Sequence, residues 1–378
     1  MGMDYFYFLH GKVILKCLQS FNICLQYDMI VFTIMENTVR KTEEIRAFVI
    51  AKIEDHPREI VSMVAEIFSI SRQAAHRHID NMVKENVVVA VGATRNRTYS
   101  LASIVDKTWS FGLNGLNEDN VWRNTVSMEL KDISANILQI CQYGLTEIVN
   151  NAIDHSEGTI VTVAVIRTLV SISISVQDNG FGIFNKIQRD LKLDDNLHSV
   201  LELSKGKLTT DPQKHSGEGI FFTSRMFDEF SIISGNLFFN TISRGQENTR
   251  DWLIENKGMA ALGTCVVMKI AASSKLTTRQ VFDSFSVDGD FRFSRTTIPV
   301  FLAQYGSENL ISRSQARRLL TRFERFKEVM LDFENVEMIG QAFADEVFRV
   351  FKNAHPQTHL STMNTNEDVS RMIAHVTA

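Results

Sequence analysis

Residues 171–183, SISISVQDNGFGI, constrain this chain more than any other stretch. Ile172, Ile174 and Val176 alternate with serines, the period-two pattern of a strand with one buried face. The strand runs into Asp178-Asn179-Gly180-Phe181-Gly182. Two glycines at a strand end let the backbone approach a flat ligand closely. A buried carboxylate at Asp178 can accept a hydrogen bond from an exocyclic amine such as that of adenine.

Two further motifs flank this strand. In LTEIVNNAIDHSEGT, residues 145–159, Glu147 and Asn151 stand at i and i+4 on one helical face. An acid and an amide stacked in this way can hold a water and a Mg²⁺ at one phosphate chain. In KHSGEGIFFTSRMFDEF, residues 214–230, Gly217 and Gly219 precede a helix. Its first N–H groups and positive dipole end suit an anion.

The order of the three motifs resembles the nucleotide-binding boxes of the GHKL (Bergerat-fold) ATPases, which include type II topoisomerases, histidine kinases and anti-sigma serine kinases. The resemblance implies an α/β sandwich over residues 104–278, with helices on one face of a mixed sheet, and the cofactors ATP and Mg²⁺. It implies that Asn151 coordinates the metal and Asp178 binds the adenine amine. Gly180 and Gly182 would line the adenine pocket, and Gly217 and Gly219 would cradle the phosphates. Thr264, in GTCVVMKI, would support Asp178, and Glu147 would be the general base that activates water. Between Gly182 and Gly217 the expected lid offers Lys205, Lys207, Lys214 and His215 as candidates for a γ-phosphate contact. No phosphoacceptor histidine box lies upstream of Glu147, so a self-phosphorylating histidine kinase is not expected.

Residues 37–103 carry a different pattern. Ile45, Val49 and Ile53 recur at helical spacing, as do Ile60, Val64 and Ile67 in the next helix, 58–68. Ser71 is placed to N-cap a third helix, 72–85, which keeps Ala75, Ile79, Met82 and Val83 inward and Arg72, Gln73, His76 and Arg77 outward. VVVAV, GATRNR and TYSL then read as a hairpin with a basic tip. This order resembles a winged helix-turn-helix domain, which implies a third helix in the DNA major groove and Arg95 and Arg97 on phosphate. From Arg72 to Arg97 there are five basic side chains against two acidic ones, the sign DNA requires. Few of the basic groups lie on the helix itself, so dimerisation is expected.

Residues 279–378 alternate strand and helix with short connections, the pattern of a parallel α/β sheet. The expected elements are a strand over 294–306, a helix over 312–326, a strand over 328–339 and a helix over 340–351. A short strand at 358–364 and a last helix from Glu367 follow. VMLDFENVEMIGQAFADEVF resembles the STAS fold of anti-anti-sigma factors, whose phosphorylated serine is absent from the corresponding turn, Gly340-Gln341-Ala342-Phe343. A docking domain for a protein partner is the better expectation. Residues 37–370 together resemble bacterial proteins that join these three domains.

Composition narrows the class. A net charge of −4 excludes a uniformly basic nucleic-acid binder. Cys17, Cys24, Cys141 and Cys265 form no CxxC pair, which argues against a disulfide framework or zinc site and points to the cytoplasm. Residues 1–36 read as an N-terminal extension with Met35 as the expected start of the folded protein. Lys12, Lys16 and Asp28 interrupt its apolar run short of the ~18 residues a membrane span needs. The expectation is therefore an ATP-binding, weakly ATP-hydrolysing regulator that couples nucleotide state to DNA or partner binding. The alternatives are an anti-sigma-type serine/threonine kinase acting on a separate STAS partner, and a non-hydrolysing ATP-bound adaptor.

Overall fold

The computed structural model describes residues 40–93, 96–208, 216–243, 249–255, 261–287, 292–304 and 308–378. The extension at 1–36 lies outside the described residues. The chain divides into two compact units, at 102/103.

In the first unit, helices α1 (40–52), α2 (Ile60–Ile67) and α3 (Arg72–Lys84) precede an antiparallel hairpin of β1 (Val88–Val91) and β2 (Thr98–Leu101). Ile45, Val49, Ile53, Ile60, Val64, Ala75, Ile79 and Met82 are buried together, as their spacing requires. Ser71 caps α3 by accepting from Ala74 N at 3.2 Å. Ile67 departs from expectation at 56% exposure, and Val61 takes an inward place instead. The chain leaves α2 there through Ser69, whose φ is +49°.

The second unit is built on a seven-stranded sheet ordered β3-β4-β5-β9-β6-β7-β8. Its strands are β3 (Val105–Gly112), β4 (Ile160–Arg167), β5 (Ser171–Asp178), β6 (Glu229–Gly235), β7 (Leu237–Ser243), β8 (Thr249–Glu255) and β9 (Ala261–Ala271). Every neighbouring pair in it is antiparallel. A helical stretch α4 (118–129) leads into the long helix α5 (Ala135–His155). Ile172, Ile174 and Val176 of β5 share a core with Leu145, Ile148, Val149 and Ala152 of α5. Gly144 of α5 makes room for Phe227 and for Met268 of β9, because a β-carbon there would lie 2.5 Å from the Phe227 ring. Helices α6 (Ile183–Leu191), α7 (Asn196–Ser204) and α8 (Gly219–Met226) follow the β5 exit, and α9 (Thr278–Ser284) follows β9.

The same hydrophobic core continues into a second, wholly parallel sheet of β10 (Arg295–Pro299), β11 (Glu328–Asp332) and β12 (His359–Met363). Helices α10 (Arg313–Leu320), α11 (341–354) and α12 (Glu367–Thr377) connect and close it. The sheet expected to be mixed over 104–278 is antiparallel at every pair, and parallel pairing is confined to the C-terminal sheet. The helix expected over 312–326 stops at Leu320, because Arg322 takes a left-handed backbone with φ +67°. Among the described residues no helix is long and apolar enough to cross a membrane.

Candidate functional site

The strand end at Asp178, the second half of α5, the turn before α8 and the start of β9 converge on one cavity of about 330 Å³. Glu147, Asn151, Asp178, Gly217, Gly219 and Thr264 all line it. Gly180 and Gly182 follow Asp178 in the adjoining turn, and packing requires glycine at both. A β-carbon on Gly180 would meet the Ser156 carbonyl oxygen at 2.0 Å, and one on Gly182 would lie 2.7 Å from Ser234 Oγ.

Asp178 is 7% exposed. Its Oδ1 accepts from Gly180 N at 2.8 Å and from Thr264 N at 3.2 Å. Burial pushes its carboxyl above the ordinary aspartate range, and those donors draw it partly back. Thr264 Oγ1 in turn accepts from Ile183 N at 2.9 Å, which fastens the first residue of α6 to β9. Gly263, with φ +70°, lets β9 pass so close that a β-carbon would sit 2.1 Å from the Asp178 carbonyl oxygen.

The turn after β5 is stapled to the end of α5. Phe181 N donates to Ser156 O at 2.8 Å, and Asn179 Oδ1 accepts from Thr159 N and Ile160 N at 2.8 and 3.0 Å. Asp178 is thereby held rigidly against the helix that carries Glu147 and Asn151. Both of those side chains are half-buried. Asn151 Nδ2 is buried and has no hydrogen-bond partner among the described residues. A buried N–H donor in this state calls for an acceptor, such as a phosphate oxygen or a water.

Glu147 reaches across to α8, where a β-carbon on Gly219 would fall 1.9 Å from its Oε2. Burial pushes the Tyr143 hydroxyl up, with Glu147 and Glu218 adding to the effect, so acidic charge gathers at this end of the cavity. Gly217, with φ +71°, abuts Leu208, whose N donates to Gly217 O at 3.1 Å.

Lys205 and Lys207, two of the four cations expected in the lid, are bonded away from the cavity. Lys205 Nζ turns away to the carbonyls of Arg318 and Thr321, and Lys207 Nζ to that of Arg325, each at 3.0 Å. Lys214 and His215 lie outside the described residues. The lining lysine is Lys186 of α6, which sequence reasoning missed, together with Asn150, His155 and Asp190. Lys186 Nζ pairs with Glu157 Oε1 at 3.0 Å and Asp190 Oδ2 at 3.2 Å. Its position four residues after Gly182 is the signal that could have found it. Among the described residues no group of three acidic, His or Cys side chains is set to hold a metal. Mg²⁺ on a nucleotide does not need one, since phosphates and water complete its shell.

In the first unit, Arg72, Gln73 and Arg77 are exposed on α3 and His76 is half-buried. Arg97 is not free: its Nη2 donates to Asp80 Oδ1 at 3.3 Å and its guanidinium lies 5.1 Å from the Tyr99 ring centre. Arg95 lies outside the described residues.

No curated protein matches this chain. Residues 315–370 match the family model of a STAS-like domain of unknown function (DUF4325), so the C-terminal part of the chain carries a STAS-like domain.

Proposed function

We propose that this protein is an ATP-binding, weakly ATP-hydrolysing regulator in which nucleotide state alters DNA or protein-partner binding. On this reading residues 104–278 form a GHKL-type nucleotide domain and residues 37–103 a winged helix-turn-helix. The observation that carries it is the buried Asp178, held by Gly180 and Thr264 at one end of a cavity whose other walls bear the unsatisfied Asn151 amide and the glycine turn before α8. An adenine amine satisfies a carboxylate at Asp178. Asn151 would hold Mg²⁺ through its Oδ1 while its unsatisfied Nδ2 donates to a phosphate oxygen, and the N-terminal end of α8 would receive the phosphate charge. Glu147, one helical turn before Asn151 and against Gly219, favours hydrolysis over simple storage of nucleotide, because a carboxylate there can take a proton from water.

Calorimetry with Mg·ATP on the full chain tests the reading. Saturable binding that is lost in Asp178→Asn supports it; equal binding by Asp178→Asn overturns it. Phosphate release abolished in Glu147→Gln, with ATP binding retained, assigns the base, and unchanged release withdraws that assignment.

A further inference from the structure

We propose that Arg322, supplied by the STAS-like domain, is a positioning residue for the phosphate end of the nucleotide cavity. The inference rests on the nucleotide reading above and extends it to a part of the chain that touches no nucleotide.

A buried charge cluster begins on α7. Glu202, 1% exposed, and Lys205, fully buried, stand one turn apart, and Lys205 Nζ donates to Glu202 Oε1 at 2.6 Å. The two other lysine protons go to Arg318 O and Thr321 O, at the end of α10. His198 Nε2 lies 3.4 Å from the same Glu202 oxygen. Arg322 closes the arrangement from the STAS-like side. Its Nε donates to Glu202 Oε2 at 2.8 Å and its Nη2 to the Glu202 carbonyl at 2.6 Å. Its Nη1 reaches the carbonyl oxygens of Lys207 and Gly206 at 3.0 and 3.4 Å.

Those last two bonds bear on the site. The next residue, Leu208, lines the cavity and is bonded through its N–H to Gly217 O. Gly217 packs so tightly on it that a β-carbon would lie 2.4 Å from the Leu208 carbonyl carbon. One guanidinium thus fixes the carbonyls immediately before the residue on which the glycine turn rests. Other contacts point the same way: Lys207 Nζ donates to Arg325 O, and Thr296 Oγ1 of β10 donates to Lys205 O, both at 3.0 Å.

Stability alone is a poor explanation for this cluster. Burying three charged groups incurs a desolvation cost that apolar side chains of equal size avoid. Arg322 also holds a left-handed backbone that non-glycine residues seldom adopt. What the cluster achieves, and an apolar contact does not, is a fixed direction for the backbone carbonyls of residues 206 and 207.

The test is Arg322→Lys in the full chain, which keeps a cation beside Glu202 but cannot span the Glu202 carboxylate and the carbonyls at 206 and 207 together. Titration calorimetry with Mg·ATP reads affinity separately from the fraction of competent protein. The expected result is unchanged stoichiometry with Kd raised about fivefold or more, the low end of coupling between distinct sites. Unchanged Kd with a lowered melting temperature makes the cluster structural glue and overturns the inference, while the nucleotide reading stands. A parent protein that binds no ATP overturns both. Should Arg322→Lys not fold, Thr296→Val, which removes only the bond to the Lys205 carbonyl, carries the same test with a smaller shift in Kd.

Discussion

The carboxylate of Glu147 lies directly over the α-carbon of Gly219, so close that a β-carbon would fall 1.9 Å from Oε2. An acid on α5 and the first residue of α8 are thus in contact although 72 positions separate them in the chain. Gly219→Ala is expected to push the carboxylate aside by ~1 Å, a misplacement that costs roughly 10²-fold in turnover when the displaced group is catalytic. Phosphate-release assays would show the drop and circular dichroism an intact fold. Full turnover in Gly219→Ala would remove Glu147 from the reaction.

On the proposed reading, Asp178 should make ATP affinity depend on pH. Its carboxyl is raised by burial, so the folded protein keeps a proton at a pH where the unfolded chain has released it. Stability therefore increases as pH falls through the raised value toward the ordinary 3.8. Adenine binding has the opposite sign, because an amine donor needs the ionised acid. ATP affinity should weaken on acidification earlier than an exposed aspartate allows, and calorimetry at stepped pH measures it.

Glu202 works the other way. Burial acts to raise its carboxyl, but Lys205, His198 and Arg322 overcome that and hold it well below the usual glutamate range. A depressed acid contributes stability above its unfolded value of 4.5, and the contribution is lost as pH falls toward the folded one. Glu202→Gln leaves Lys205 and Arg322 buried without their counter-charge and should cost about 3–5 kcal/mol at neutral pH. It should also flatten the acid limb of the stability profile measured by urea unfolding.

Gly263→Ala should destabilise by about 1–3 kcal/mol, since φ +70° is strained for alanine. The added methyl also meets the Asp178 backbone, whose carbonyl cannot swing away as a side chain can. Urea unfolding reads the stability. ATP titration of the remaining folded protein should show weaker binding than the parent.

If the first unit binds DNA as proposed, Arg72→Ala/Arg77→Ala should weaken a salt-sensitive gel shift. The slope of log K against log salt should fall by about one for each phosphate no longer neutralised. Arg97→Ala should act mainly on stability, because that side chain is committed to Asp80 and Tyr99. An equal drop in DNA affinity in both variants would place Arg97 on the nucleic acid instead.

Much of the site was legible in the sequence because its signals are local. The alternation in 171–178 produced the strand, the four-residue spacing of Glu147 and Asn151 put them on one helical face, and the capping serine at 71 began α3 where expected. At Gly180 and Gly182 the chain admits no β-carbon, and the neighbours responsible are not visible in the sequence. Sequence shows that a β-carbon is excluded without showing what excludes it, here Ser156 O and Ser234 Oγ. The helix expected through 326 failed because apolar spacing at Phe323 and Phe326 says nothing of the left turn at Arg322.

The lysines mark the limit. Lys205 and Lys207 sit in a lid-like stretch before a glycine turn, which makes them candidates for a phosphate contact. Lys205 pairs locally with Glu202, but the carbonyls that take up both lysines lie 113 to 118 residues further on, in the STAS-like domain. Periodicity and turn chemistry are properties of neighbours along the chain, so the sequence by itself determined the strands, the helical faces and the glycine turns. Which charge meets which carbonyl depends on how the two sheets come to share one core. Only the tertiary structure decided that Lys205 is buried against α10, and that Arg322 stands behind the cavity.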